Sequence, residues 1–320
     1  MIKIGLVGVG HLGKIHLSQI KYLSDVYHLV GFYDSNEEVR QQIAQTHGIT
    51  AFDSVEQLIE ASDALDIVTP TVTHFEIAKK ALQHTKPIFI EKPITRTSQE
   101  AEFLVKLAEE AGVTVQVGHV ERFNPAFLAL KEVTLKPSFI EVHRLAQWNP
   151  RGTDVSVVLD LMIHDIDIVL RIVNSEVRRI SANGVAVIST TPDIANARIE
   201  FTNGCVANLT ASRISMKNMR KMRIFQPHAY VSVDFLDKKT EIFSISDTAP
   251  EIPLFQFTVG DETKYLAVSQ PEVPEVNAIR EELLSFAQAI ETKSDPPVTI
   301  LDALKSIRVA QEIMERIMPE

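Results

Sequence analysis

The chain has 320 residues, 45% hydrophobic and 23% charged, a balance that excludes a largely disordered chain, a collagen-like repeat and a coiled coil and suggests about two domains. With 32 Lys+Arg against 42 Asp+Glu the net charge is −10, so the surface repels phosphate backbones and nucleic acid is not an expected partner. One cysteine, Cys205, excludes an intramolecular disulfide or a thiolate cluster and fits a cytoplasmic protein; the most apolar window, Val155–Val173, is broken by Asp160, His164, Asp165, Asp167 and Arg171, so no membrane span is expected.

In chain order, short apolar runs at Ile2–Val7, His28–Tyr33, Ala64–Val68, Pro87–Ile90 and Val113–Val117 read as buried strands. Helix-like spacing fills the gaps at Leu12–Leu23, Glu37–Thr46, Ser54–Glu60, His74–Gln83 and Ser98–Ala111, the last opening with Thr97 and Glu100 at capping-box spacing. Such alternation predicts an α/β domain over residues 1–120 with a parallel sheet and helices on both faces. From about residue 121 to residue 320 the rhythm changes. A helix is expected over Phe123–Lys131, an extended run over Ser138–Trp148 and one continuous helix over Val155–Ile172. Strand–turn–strand follows from Val177, with Thr202-Asn203-Gly204 as a hairpin turn, and two helices close the chain near Val276–Glu291 and Leu301–Met318. The second domain is expected to be α+β with a mostly antiparallel sheet, its closing helices free to pack back on the first.

Gly8-Val9-Gly10-His11-Leu12-Gly13 follows the first strand and opens the first helix. The three glycines allow a tight turn, close approach of a pyrophosphate and close helix–strand packing, and the helix N-terminus faces the anion. Asp34, at the end of the second strand and about 20 residues on, is placed to hydrogen-bond the adenosine ribose and to repel a 2′-phosphate, which favours NAD over NADP; a helix-capping role is the alternative. Glu91-Lys92-Pro93 ends the strand Pro87–Ile90, at the edge where open α/β sheets bind ligands. Lys92 there serves as a proton-transfer group or a fixed cation, or is a surface lysine before a turn proline. Asp160 and His164 are four apart on a predicted helix, one face carrying a carboxylate beside an imidazole, which suits proton abstraction. A His/Asp metal site lacks a third convincing ligand, so no metal is expected.

Together these residues resemble the Gfo/Idh/MocA family of NAD(P)-dependent sugar oxidoreductases. The likeness rests on Gly8, Gly10, Gly13 and His16; on Thr69-Pro70-Thr71-Val72-Thr73-His74, where Thr71 replaces the usual asparagine; on Glu91-Lys92-Pro93; and on the Asp160/His164 pair. It implies a Rossmann domain followed by a domain with a large open sheet that forms a homodimer or homotetramer. It also implies catalytic roles for Lys92, Asp160 and His164 and cofactor contacts from Gly8 to Gly13, Asp34, Thr69, Pro70, His74, Glu91 and Lys92. A more restricted likeness, through His119, Arg122, Asn124, Arg144, Trp148 and Arg151, is to the branch acting on sugar nucleotides. Arginine forks, with Arg213 added, suit a diphosphate, and Trp148 suits a ring. That branch oxidises the C3 hydroxyl of UDP-N-acetylglucosamine to a ketone ahead of a PLP aminotransferase. A free-sugar or inositol dehydrogenase, another small-molecule reductase of the same family, such as a biliverdin-reductase-like enzyme, and a non-catalytic NAD-binding regulator are the alternatives. The stretch Thr153-Asp154-Val155-Ser156-Val157 departs from the glycine-rich segment common in the family.

Overall fold

The computed structural model describes residues 1–149, 155–249 and 254–317. The chain forms two compact units, Met1–Val120 with Asn277–Arg308, and Glu121–Val276 with Val309–Glu320.

The first unit holds a five-stranded, all-parallel sheet in the order β2-β1-β3-β4-β5. The strands are β1 (Ile2–Val7), β2 (Tyr27–Tyr33), β3 (Ala64–Ile67), β4 (Ile88–Glu91) and β5 (Val115–Gly118). β3, β4 and β5 are buried at every position, as expected of strands covered on both faces. The connecting helices are α1 (His11–Tyr22), α2 (Glu37–His47), α3 (Val55–Ala61), α4 (Thr71–Gln83) and α5 (Ser98–Ala111). Their starts follow the sequence: Asn36 caps α2, Ser54 caps α3, and Thr97 with Glu100 forms a complete capping box on α5. The order reverses between β1 and β3, so the loops after these strands flank a crevice at the carboxyl edge of the sheet.

The segment Asn277–Arg308 belongs to this first unit, so the division at residue 120 is not the whole boundary. The reason is apolar: α8 (Ala278–Thr292) places Leu283, Phe286 and Ala287 in one cluster with Ile2, Ile4, Ile20, Tyr27 and Phe89. Burying a side chain such as Phe286 contributes about 2 kcal/mol. The Tyr27 hydroxyl donates to the Leu283 carbonyl at 2.6 Å, and Gln116 of β5 donates to the Glu282 carbonyl at 2.7 Å.

The second unit is built on a nine-stranded sheet in the order β13 (Phe255–Val259), β14 (Glu262–Ser269), β12 (Lys239–Ser246), β11 (Ala229–Asp234), β10 (Met219–Gln226), β6 (Phe139–Leu145), β9 (Val206–Ser212), β8 (Ile194–Phe201) and β7 (Val177–Val185). Every neighbouring pair is antiparallel except β6 (Phe139–Leu145) with β9 (Val206–Ser212). The expected hairpin at Thr202–Gly204 joins β8 (Ile194–Phe201) to β9. Alternation along β6 buries Ile140, Val142 and Arg144. With Met222 and Ile224 of β10 (Met219–Gln226) and Val231 and Val233 of β11 (Ala229–Asp234), the apolar members form the core under α7 (Ile163–Val173). Val309, Ala310 and Ile313, from the later part of α9 (Ile300–Ile317), join that core. The opposite sheet face carries half-buried rings directly opposite one another: Phe139, Phe225, Tyr230 and Phe243 of β12 (Lys239–Ser246), with successive centroids 5.8, 5.1 and 4.8 Å apart.

Two expected helices differ. Phe123–Lys131 is a 3₁₀ turn (Val120–Phe123) followed by the short α6 (Pro125–Leu128), because the Asn124 side chain caps a new start and Pro125 occupies its first turn. Val155–Ile172 is a π-helical turn (Val158–Met162) leading into α7; a single widened turn leaves apolar spacing almost unchanged, so periodicity does not reveal it. Among the described residues no helix is long and apolar enough to cross a membrane.

Candidate active site

In the first unit, the glycine loop leaves β1 and enters α1 at Gly10. Gly8 has φ 93°, and a Cβ there would meet the Val68 carbonyl at 2.5 Å; a Cβ on Gly13 would meet the Gly8 carbonyl at 2.1 Å. These two glycines are required by the chain itself. Gly10 differs: nothing lies within 4 Å of its Cβ position. The α1 N-terminus has no side-chain cap and no acid in its first turn, which leaves its amide donors for an external anion. Gly10, His11 and Leu12 are exposed. Asp34, half-buried at the end of β2, accepts from the Val9 amide at 2.9 Å and the Asn36 amide at 3.0 Å, so its carboxylate is fixed beside the loop. Arg40 donates to the Asp34 carbonyl at 2.7 Å and lies over the Tyr33 ring; on an exposed, charge-rich helix nothing local in the sequence marks it. An open glycine, an uncapped helix end and a carboxylate beside them fit a dinucleotide.

The next loops extend this edge. His74, buried in α4, has its ring nitrogens 2.9 Å from the Pro93 carbonyl and 2.8 Å from the Thr69 carbonyl. Burial pushes its pKa down while the two carbonyl acceptors push it up, with burial the stronger; the ring lies between the loop after β3 and the turn after β4. Thr69 is half-buried and Pro70 exposed. Glu91 is buried at the end of β4, its Oε2 accepting the Lys92 amide at 3.1 Å; Lys92 itself is half-buried and the Lys92–Pro93 peptide is cis. His119, next after β5, is buried. His16 sits in α1 with Nδ1 2.9 Å from Asp66 of β3. The role of Asp66 escaped sequence reading because it sits inside an apolar strand pattern.

In the second unit, Asp160 lies in the π turn and His164 in the first turn of α7, both half-buried. The acids that follow His164 are committed inward. Asp167 takes a bidentate pair from Arg122 at 2.7 and 2.6 Å. Asp165 takes Arg144 at 2.8–3.0 Å, and Arg144 also donates to Glu121 at 2.8 Å. Burial alone would lower the Arg144 pKa, but Asp165 and Glu121 outweigh it and hold the guanidinium charged. Asn124 donates to Glu121 and to the Phe235 carbonyl. Arg213 donates to the Val155 carbonyl at 2.6 Å, just before the π turn. The forks expected to meet a diphosphate are therefore buried among carboxylates and backbone: Arg122, Arg144 and Arg213 brace the segment that carries Asp160 and His164. The spacing of these residues gave no sign of this, because their acids lie on other elements. Trp148, 39% exposed, is the outward-facing member of the expected substrate set among the described residues; Arg151 lies outside them.

A parallel sheet with an open glycine loop at its carboxyl edge, followed by a large, mostly antiparallel sheet, is the outline of a dinucleotide-dependent oxidoreductase. Residues 2–119 match the oxidoreductase family with an NAD-binding Rossmann fold, and residues 137–231 match the GFO/IDH/MocA C-terminal domain; the chain belongs to the Gfo/Idh/MocA family. It is 36% identical over 313 residues to UDP-N-acetylglucosamine 3-dehydrogenase of Acidithiobacillus ferrooxidans, covering 97% of each chain. A solved structure of that enzyme superposes with a TM-score of 0.90 at 32% identity, covering 99% of this chain and 97% of the other. The scyllo-inositol 2-dehydrogenase (NAD(+)) of Bacillus subtilis is 30% identical over 235 residues, 67% of this chain and 68% of its own.

Proposed function

We propose that this protein oxidises the C3 hydroxyl of UDP-N-acetylglucosamine to a ketone with NAD. The observation that carries the reading is the near full-length likeness, at 36% identity, to a UDP-N-acetylglucosamine 3-dehydrogenase. The glycine loop and Asp34 would hold NAD, which when bound would supply the hydride acceptor for the C3 hydrogen. The chain's own residues handle the rest: His164 or Lys92 takes the hydroxyl proton, and Asp160 orients the imidazole and raises its basicity. Asp34 supports NAD over NADP, since a 2′-phosphate would meet its carboxylate. Trp148 and Arg151 are the candidates for uridine or diphosphate contact, and His119 for the sugar. The ring-lined sheet face supports a homodimer, or a tetramer built from it. A PLP aminotransferase is the expected consumer of the ketone.

Nicotinamide absorbance with NAD and a panel of UDP-N-acetylglucosamine, UDP-glucose, free N-acetylglucosamine and myo-inositol, with a ketone trap, tests this. Reduction only with UDP-N-acetylglucosamine is expected. Lys92→Ala and His164→Ala should each lower kcat by about 10²–10⁴-fold, and His164→Ala should leave NAD binding intact. Turnover of inositol or free sugar instead would replace the substrate, and unchanged kcat in both variants would remove the assigned roles.

A further inference from the structure

The first unit contains a buried polar cluster beneath the carboxyl edge of its sheet, reaching from Glu91 to the returning helix α8. His16 of α1 and Glu282 of α8 are fully buried, and Glu91 at the end of β4 is 6% exposed. His16 Nε2, one Glu91 oxygen and one Glu282 oxygen all lie within 4.8 Å of one another. Three of the atoms here are orphans. Nε2 is 3.2 Å from Glu91 Oε1, yet it makes no well-directed hydrogen bond, and neither Glu282 oxygen has a partner. Buried polar groups are almost always satisfied, and here an orphan from α1 and an orphan from α8 converge beside the Glu91 carboxylate.

We propose that His16, Glu91 and Glu282 bind a divalent metal ion of the zinc, cobalt or manganese type. The surrounding contacts prepare each ligand. Asp66 Oδ2, 2.9 Å from His16 Nδ1, fixes the tautomer that leaves the Nε2 lone pair free for an ion. The Lys92 amide occupies Glu91 Oε2, leaving Oε1 on the cluster side. Gly118 lets the Glu91 carboxylate lie against β5, since a Cβ there would come within 2.7 Å of Glu91 Oε1. One imidazole nitrogen with two carboxylates is the donor set of borderline first-row ions, which hold such ligands at about 2.0–2.2 Å. The acids and the imidazole that face Glu282 are Glu91, His16 and Asp66. A single proton shared among them would serve one pair of atoms, whereas an ion serves all three ligands at once. Because the ligands come from α1, β4 and α8, the ion would join the start of the chain to its returning helix. This role is structural and does not depend on the substrate proposed above.

The test uses the full-length protein, freed of metal by a chelator and titrated with Co²⁺ while visible absorption and thermal unfolding are followed. One equivalent per chain should give d–d bands, and saturation should raise Tm by roughly 5 °C. Glu282→Gln should abolish both signals, and the exposed control Glu60→Gln should keep them. Should Glu282→Gln fail to fold, Glu282→Asp, which keeps the charge and shortens the reach, should weaken binding at least tenfold. Absence of bands and of any Tm shift in the unsubstituted protein with Co²⁺, Zn²⁺ and Mn²⁺ would overturn the proposal and leave a buried water as the guest. Undiminished binding by Glu282→Gln would overturn it equally.

Discussion

Glycines that look equivalent in a motif do different things. Gly13 is held by its own chain, so Gly13→Ala is expected to cost about 2 kcal/mol or more through the clash with the Gly8 carbonyl. Gly10 faces open space, so Gly10→Ala should change stability by less than about 0.5 kcal/mol yet weaken dinucleotide binding roughly tenfold or more. Urea unfolding and cofactor titration of both variants separate the effects; equal loss of stability would refute the distinction. Asp34 makes a second test. Asp34→Asn removes the charge but keeps an acceptor for the loop amides. It should raise KM for NAD roughly tenfold and admit NADP, and an unchanged NADP-to-NAD ratio of kcat/KM would sink the ribose assignment. At this scale the glycine loop and Asp34 were legible because their chemistry is local in sequence. The engagement of Arg122 and Arg144 was not, because each guanidinium finds its acid at least 20 residues away in the chain.

Elements show how a loop and a helix start are fixed from outside. In the β7–β8 connection, β7 being Val177–Val185, buried Asp193 accepts the amides of Val187, Ile188 and Ser189 at 2.7–2.9 Å. Burial pushes its pKa up, but these amide donors outweigh burial and hold it below the carboxylate range. A folded pKa below the unfolded value of about 3.9 gives stability that is full above about pH 4 and is lost as pH falls through the folded value. Asp193→Ala should therefore cost about 3 kcal/mol at pH 7, measured by urea unfolding, and the gap to the unsubstituted protein should narrow steadily below pH 4. A constant gap would show that the amides, not the charge, matter. The elements were largely readable where caps and alternation are strong, as in α5 and the β8–β9 hairpin. The π turn was not, since its widening depends on packing rather than on which residues are apolar.

The large sheet sets the behaviour of the whole molecule. Rings from β6, β10, β11 and β12 lie on the face opposite the core beside the Arg223–Glu141 pair, the face that the proposed homodimer would cover. Phe225→Asp, in the middle of that row, should shift the protein to monomers in light scattering; an unchanged mass would place the interface elsewhere. The two-domain outline was legible in the change of rhythm near residue 120, but the return of Asn277–Arg308 to the first unit was only an open option, because membership is decided by which core a helix's apolar stripe meets.

That return has a consequence for synthesis. A ribosome delivers the five parallel strands early, yet Ile2, Ile20, Tyr27 and Phe89 meet Leu283 and Phe286 only after the whole second sheet has been made. The second sheet in turn gains Val309 and Ile313 last of all. At a translation rate of about 5–20 residues per second, the nascent nucleotide-binding half spends roughly 8–34 seconds with an open apolar flank. This is the interval in which a chaperone would find it, and in which premature termination would yield a sticky fragment rather than a smaller working domain.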